Sequence, residues 1–100
     1  MGLLDFLIWG AVALVGAIII SEVVSYFLDV PSIRKILVQK RASGKLKSCV
    51  RQVAVQKNDG HKVSMATLEN GAITNDKIEL SSNSGVSSSV KEGMIIDLDV

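Results

Sequence analysis

Phe6-Leu7-Ile8-Trp9-Gly10-Ala11-Val12-Ala13-Leu14-Val15-Gly16-Ala17-Ile18-Ile19-Ile20 is a run of fifteen residues without a charge or a strong hydrogen-bonding side chain. Leu3 and Leu4 precede it, and Val23, Val24, Tyr26, Phe27 and Leu28 follow, so the apolar tract is broken by Asp5, Ser21, Glu22 and Ser25 alone. As a helix the tract of about 26 residues spans roughly 39 Å, enough to cross a hydrocarbon core of about 30 Å with tilt to spare. The pattern predicts a single transmembrane helix, and the rest of the chain is placed relative to it.

Outward from this tract the charges are segregated. Residues 1–29 hold Asp5, Glu22 and Asp29 and no Lys or Arg, whereas residues 30–51 hold Arg34, Lys35, Lys40, Arg41, Lys45, Lys47 and Arg51 and no acid. Bases just beyond a span favour cytoplasmic retention, which predicts an outside N-terminus and a cytoplasmic C-terminal part. A cleaved secretory signal would need a basic start and a small-residue cleavage site, and the sequence shows neither. Phe6 stands where a myristoylation signal wants Ser or Thr. Cys49 is the single cysteine, so no intrachain disulfide can form.

Within the expected span, Trp9 and Tyr26 would lie about 26 Å apart along a helix, close to the spacing of the two aromatic belts of a bilayer. Gly10, Ala13, Ala17, Ser21 and Ser25 form a small-residue stripe of the kind that lets helices pack closely in lipid, which predicts association with another membrane protein or with a copy of the chain. Glu22 falls about one turn inside the inner interface. Either its carboxylate reaches the headgroups, or it pairs within a helix contact or polar cavity.

Pro31 ends the span, and Asp29 or Ser32 can cap a second helix from about Ser32 to Ala42, closed by Gly44. Ile33, Ile36 and Leu37 share one face of it at i, i+3 and i+4, with Arg34, Lys35, Lys40 and Arg41 around them. That arrangement suits a helix lying on membrane lipids, where each base near an anionic surface contributes about 1 kcal/mol. An ordinary basic flank to a span accounts for the same charges.

From about Leu46 the period becomes strand-like. Ser48 to Gln56, His61 to Leu68, Lys77 to Leu80 and Met94 to Val100 alternate, with Asn58-Asp59-Gly60 and Glu69-Asn70-Gly71 as turns between the first of them. Val63, Met65 and Thr67 face inward, as do Ile78 and Leu80, and Ile96, Leu98 and Val100. Ser81 to Gly93 carries six Ser in its first nine positions and reads as a loop that Val86 and Val90 pin down. The expected fold is therefore α+β: a transmembrane anchor over residues 1–30, a basic amphipathic juxtamembrane helix over 31–44, and over 45–100 a small antiparallel β-barrel or roll, SH3-like or OB-like in outline.

Catalytic chemistry has few candidates in this chain. His61 is the single histidine and follows a turn, Cys49 has no second Cys for a zinc site and no adjacent base, and Asp97 and Asp99 lie at i, i+2 on a terminal strand. No phosphate-binding loop, dinucleotide fingerprint or nucleophile elbow is present. The barrel region has no aromatic residue on which a base could stack, so the bases are not read as a nucleic-acid footprint. The expectation is a non-catalytic, membrane-anchored adaptor without cofactor or metal, presenting a small cytoplasmic β-domain to a protein partner at the membrane surface. Two alternatives stand beside it: an accessory subunit of a transporter or channel that uses Glu22 in the bilayer, and a homo-oligomeric membrane scaffold.

An apolar N-terminal tract followed by a β-domain ending in Val90-Lys91-Glu92-Gly93-Met94-Ile95-Ile96 resembles, in layout, the NfeD-like membrane proteins. The resemblance implies no functional residues for this chain.

Overall fold

A computed structural model describes residues 17–100. Its first element is strand β1, Ala17–Val24, followed by helix α1, Val30–Ala42, and strands β2, Gln52–Asn58, β3, Lys62–Glu69, β4, Ala72–Ser82, and β5, Ile95–Asp97. The strands form one sheet in the order β1-β4-β3-β2-β5. Three neighbouring pairs are antiparallel, whereas β1 runs parallel to β4. Such a parallel pair needs a long connection, here everything between residues 24 and 72, and no local turn signal announces it.

Two expectations are corrected here. Residues 17–24, taken from sequence as the inner end of a span, form a strand paired from Ala17↔Asp76 to Val24↔Ser82, with an irregularity between Ile18 and Ile20. The β-branched Ile18, Ile19, Ile20, Val23 and Val24 suit this pleated setting better than a helix, where they lose side-chain freedom. Among the described residues no helix is long and apolar enough to cross a membrane. The single-pass transmembrane reading is therefore overturned, and with it the outside N-terminus and cytoplasmic C-terminal domain that depended on it. Trp9, Gly10 and Ala13 lie outside the described residues. The second correction is the antiparallel barrel: the described residues form an open, mixed sheet with one short helix packed on it.

The two tight turns form where the sequence placed them. Asp59 Oδ1 accepts hydrogen bonds from the backbone N–H groups of His61 (2.9 Å) and Lys62 (2.7 Å), and these bonds hold its carboxyl below the usual carboxylate range. At the second turn Asn70 has φ of 53° and Gly71 φ of 78°, both in the left-handed region.

Helix α1 starts as its sequence demands. Asp29 Oδ1 accepts from Ser32 N at 2.9 Å, Pro31 sits in the first turn where a missing N–H costs nothing, and Ser43 N donates to Gln39 O at 3.0 Å at the other end. The hydrogen bonds from Ser32 also lower the Asp29 carboxyl from its ordinary value. Ile33 and Leu37 have no exposed surface and Ile36 has 6 %. They join a core with Ile20, Val53, Val55, Val63, Met65, Ile78, Leu80 and Ile96. Fully burying an aliphatic side chain stabilises by about 1.5–3 kcal/mol, more than the roughly 1 kcal/mol each surface base would gain from anionic lipid. The apolar face of α1 is accordingly turned to the sheet, and the lipid-facing role expected of Ile33, Ile36 and Leu37 is corrected.

Candidate interaction surface

The alternation of β1 sends its residues two ways. Ile20 is 4 % exposed and Val24 packs against the core, so Ile20, Glu22 and Val24 face the helix side. Glu22 pairs opposite the fully buried Leu80 and forms an ion pair with Lys40 of α1. This carboxylate, which the sequence places about one turn inside the inner interface, is paired with a helix lysine at the partly exposed margin of the domain. On the other side Ile18 is 52 % exposed, Val23 69 %, and Ile19 at the irregularity 38 %.

The exposed side chains continue past the strand. Tyr26 and Phe27 are each about half exposed, so five of the seven large exposed hydrophobic residues among those described lie between residues 18 and 27. This stretch is held by the Ser-rich loop. Ser82 Oγ donates to Tyr26 O, Ser84 Oγ donates to Ser25 O at 2.7 Å, Leu28 N donates to Gly85 O at 3.0 Å, and Ser87 N donates to Leu28 O at 2.7 Å. Leu28 itself is completely buried and forms a parallel bridge with Val86. The Ser-rich loop is a strap for residues 25–28. Its serines supply hydroxyls that satisfy main-chain carbonyls no strand reaches. Gly85 makes the closest approach: its φ is +100°, and a Cβ there would stand 3.3 Å from Gly60 O and 3.8 Å from the Phe27 ring.

The basic residues expected on a membrane surface have other partners. Arg34 Nε donates to Asp97 O at 2.7 Å, and Arg41 reaches Val50 O at 2.7 Å and Asp99 Oδ1 at 2.6 Å. Arg51 takes the other Asp99 oxygen at 2.9 Å. Hydrogen bonds from Arg41 and then Arg51 hold the Asp99 carboxyl below its ordinary value. Lys40, Arg34 and Arg41 thus tie α1 to both outer strands of the sheet, β1 through Glu22 and β5 through Asp97 and its neighbour Asp99. Lys35 remains at the surface and lines, with Tyr26, Ser32, Ile36 and Gln39, a shallow cleft of about 420 Å³.

The small-residue stripe does not survive as a stripe. Ala17 and Ser21 are exposed on β1 and Ser25 is exposed at the bend after it. Four residues span about 13 Å in a strand against about 6 Å in a helix, so these positions no longer form one close-packing ridge. Of the residues weighed for chemistry, His61 is exposed beside the Gly60 turn and Cys49 is exposed with its Sγ 4.0 Å from Glu69 Oε1. Asp97 Oδ1 accepts the backbone N–H of Asp99 at 3.0 Å.

No family model, curated protein or solved structure matches the chain. The likeness in layout to NfeD-like proteins required a span ahead of the β-domain, and the strand at Ala17–Val24 removes its inner end.

Proposed function

We propose that this chain is a non-catalytic protein-interaction module whose β-domain is presented to a protein partner through the surface from Ile18 to Phe27. The observation that carries this reading is the concentration of exposed Ile18, Ile19, Val23, Tyr26 and Phe27 on one strand and its exit. Scattered apolar residues are ordinary on a protein surface, but a contiguous set marks a contact site. Tyr and Phe add large area at little conformational cost, as contact residues do. The strap formed by Ser82, Ser84 and Gly85 holds Tyr26 and Phe27 in place before a partner arrives, which lowers the ordering cost of binding.

The test is site-specific photo-crosslinking in the native host, with the photoreactive residue placed at Val23, at Phe27, or at Lys91 away from this surface. Discrete protein adducts from Val23 and Phe27 but not from Lys91 are expected. Equal labelling at all three positions, or none at any, would remove the reading.

A further inference from the structure

Helix α1 uses its bases unevenly. Arg34 donates to Asp97 O, Lys40 pairs with Glu22, and Arg41 reaches Asp99, so these three hold the helix to the sheet. The remaining base, Lys35, is exposed and makes no ion pair among the described residues. Ser32, Lys35, Ile36 and Gln39 fall at i, i+3, i+4 and i+7, a single stripe of the helix about 10 Å long. With Tyr26 they line the cleft of about 420 Å³.

The lining offers three kinds of contact. Ile36, which is 6 % exposed, and the half-exposed Tyr26 ring are apolar. The Gln39 amide carries both a donor and an acceptor, and it makes no hydrogen bond through its side chain among the described residues. Lys35 adds a positive charge. No Asp or Glu lines the cleft, and Asp29, beside it, has its carboxyl turned to the helix cap, where it accepts from Ser32 N. A cation without a counter-charge selects an acidic group. An unengaged amide matches a peptide main chain, which also presents one donor and one acceptor per residue. A free phosphate or a lipid headgroup would use Lys35 and leave the amide and the ring unmatched.

We infer that the cleft between α1 and Tyr26 receives an acidic, extended segment of the protein partner. An Asp or Glu side chain meets Lys35, the main chain runs along Gln39, and an apolar neighbour lies on Tyr26 and Ile36. The inference rests on the proposed interaction surface, which the cleft adjoins at Tyr26, and gives the chemistry of what docks there. At about 3.3 Å per residue, roughly three extended residues fill the stripe. Both walls are set before the segment arrives: the three paired bases fix α1, and the hydroxyls of Ser82 and Ser84 hold the main chain at Tyr26 and Ser25. The exposed ion pair at Lys35 is weak, and its main effect is to choose the acidic segment over a neutral one.

Heteronuclear NMR on the isotope-labelled full chain tests this, with acetyl-Leu-Glu-Leu-amide and its uncharged counterpart acetyl-Leu-Gln-Leu-amide as probes. The acidic peptide is expected to shift the amide signals of Tyr26 and of residues 32–39 and to bind at least about fivefold tighter than the neutral one. Lys35→Gln should make the two peptides equal, and Lys35→Arg should keep the preference. Equal affinity of the native chain for both peptides, shifts centred on other residues, or no shift at about 10 mM peptide overturns the inference. If the peptides fail in this way while Val23 and Phe27 still give discrete protein adducts, the cleft is removed and the interaction surface stands. If the acidic peptide binds as expected and neither position gives an adduct, the surface falls and the cleft remains as an acidic-peptide site.

Discussion

Leu37→Ala separates the two roles that the apolar face of α1 can have. Leu37 has no exposed surface and packs into the core that α1 shares with the sheet. Truncating such a residue costs the lost transfer energy plus the cavity, about 2–5 kcal/mol. A domain of this size has a total stability of roughly 5–10 kcal/mol, so the loss is a large fraction of it. With a urea slope of about 1–1.5 kcal/mol per molar, a loss of about 3 kcal/mol lowers the unfolding midpoint by about 2–3 M. Far-ultraviolet circular dichroism in lipid-free buffer reads that midpoint. Lys35→Ala, at an exposed position on the same helix, is the control and should change stability by no more than about 0.5 kcal/mol. If Leu37 instead faced lipid, its truncation would leave the lipid-free midpoint near that of the control and lower vesicle binding. A midpoint shift under about 0.5 M would refute the docking of α1 on the sheet.

Three further outcomes follow from the same contacts. Asp99, held by Arg41 and Arg51, has a folded-state carboxyl pKa below its unfolded value, so it stabilises the fold above the ordinary carboxylate range of about 4 and this contribution is lost as pH falls through the folded value. Asp99→Asn should therefore flatten the acid side of a plot of urea midpoint against pH, while Asp29 and Asp59, also lowered, keep some slope in place. The Gln56 side chain has both its amide nitrogen and its oxygen buried without a hydrogen-bond partner, and replacing it by Met should raise stability by about 1 kcal/mol in urea melts; a loss would show that the amide is satisfied. Gly85→Ala introduces a Cβ at a positive φ and 3.3 Å from Gly60 O, and should cost about 1–2 kcal/mol while increasing amide exchange at Leu28 and Ser87; unchanged exchange would mean that the strap is not held by Gly85.

The parts of the fold legible in the sequence are those set by local chemistry. The Asp59-Gly60 and Asn70-Gly71 pairs place two turns between strands, Val63, Met65 and Thr67 face the core as their alternation requires, and Asp29, Pro31 and Gly44 bracket the helix. Val86 and Val90 do anchor the Ser-rich loop. Ile96 and Leu98 are buried but Val100 is 86 % exposed, because the last strand ends at Asp97. What the sequence concealed is non-local. A long apolar run reads as a span by length alone, and only the β-branched density of Ile18-Ile19-Ile20 and Val23-Val24 hints at a strand. Its partner, β4, lies about fifty residues downstream in a parallel pairing that leaves no turn motif to find.

The candidate surface was hidden for the same reason. Ala17, Ser21 and Ser25 stand out at helical spacing, whereas the large exposed side chains, Ile18, Val23, Tyr26 and Phe27, read as part of one apolar tract. Glu22 reads as a charge near the inner interface because its position is measured along a helical span, and Lys40, eighteen residues away on the next helix, is not its neighbour in that geometry. Once residues 17–24 are a strand, Glu22, Lys40, Arg34 and Arg41 become the ties between a helix and the two sides of a sheet.

The exposed surface from Ile18 to Phe27 and the Glu22–Lys40 tie both depend on Ala17–Val24 being a strand of the β-domain. Nuclear Overhauser contacts in uniformly labelled full chain measure that most directly. Extended-chain chemical shifts over Ala17–Val24 are expected, with cross-strand contacts from Ile20 to Ile78 and from Glu22 to Leu80 in the parallel register. Helical shifts over these residues, with contacts from i to i+3 and none to β4, would contradict it.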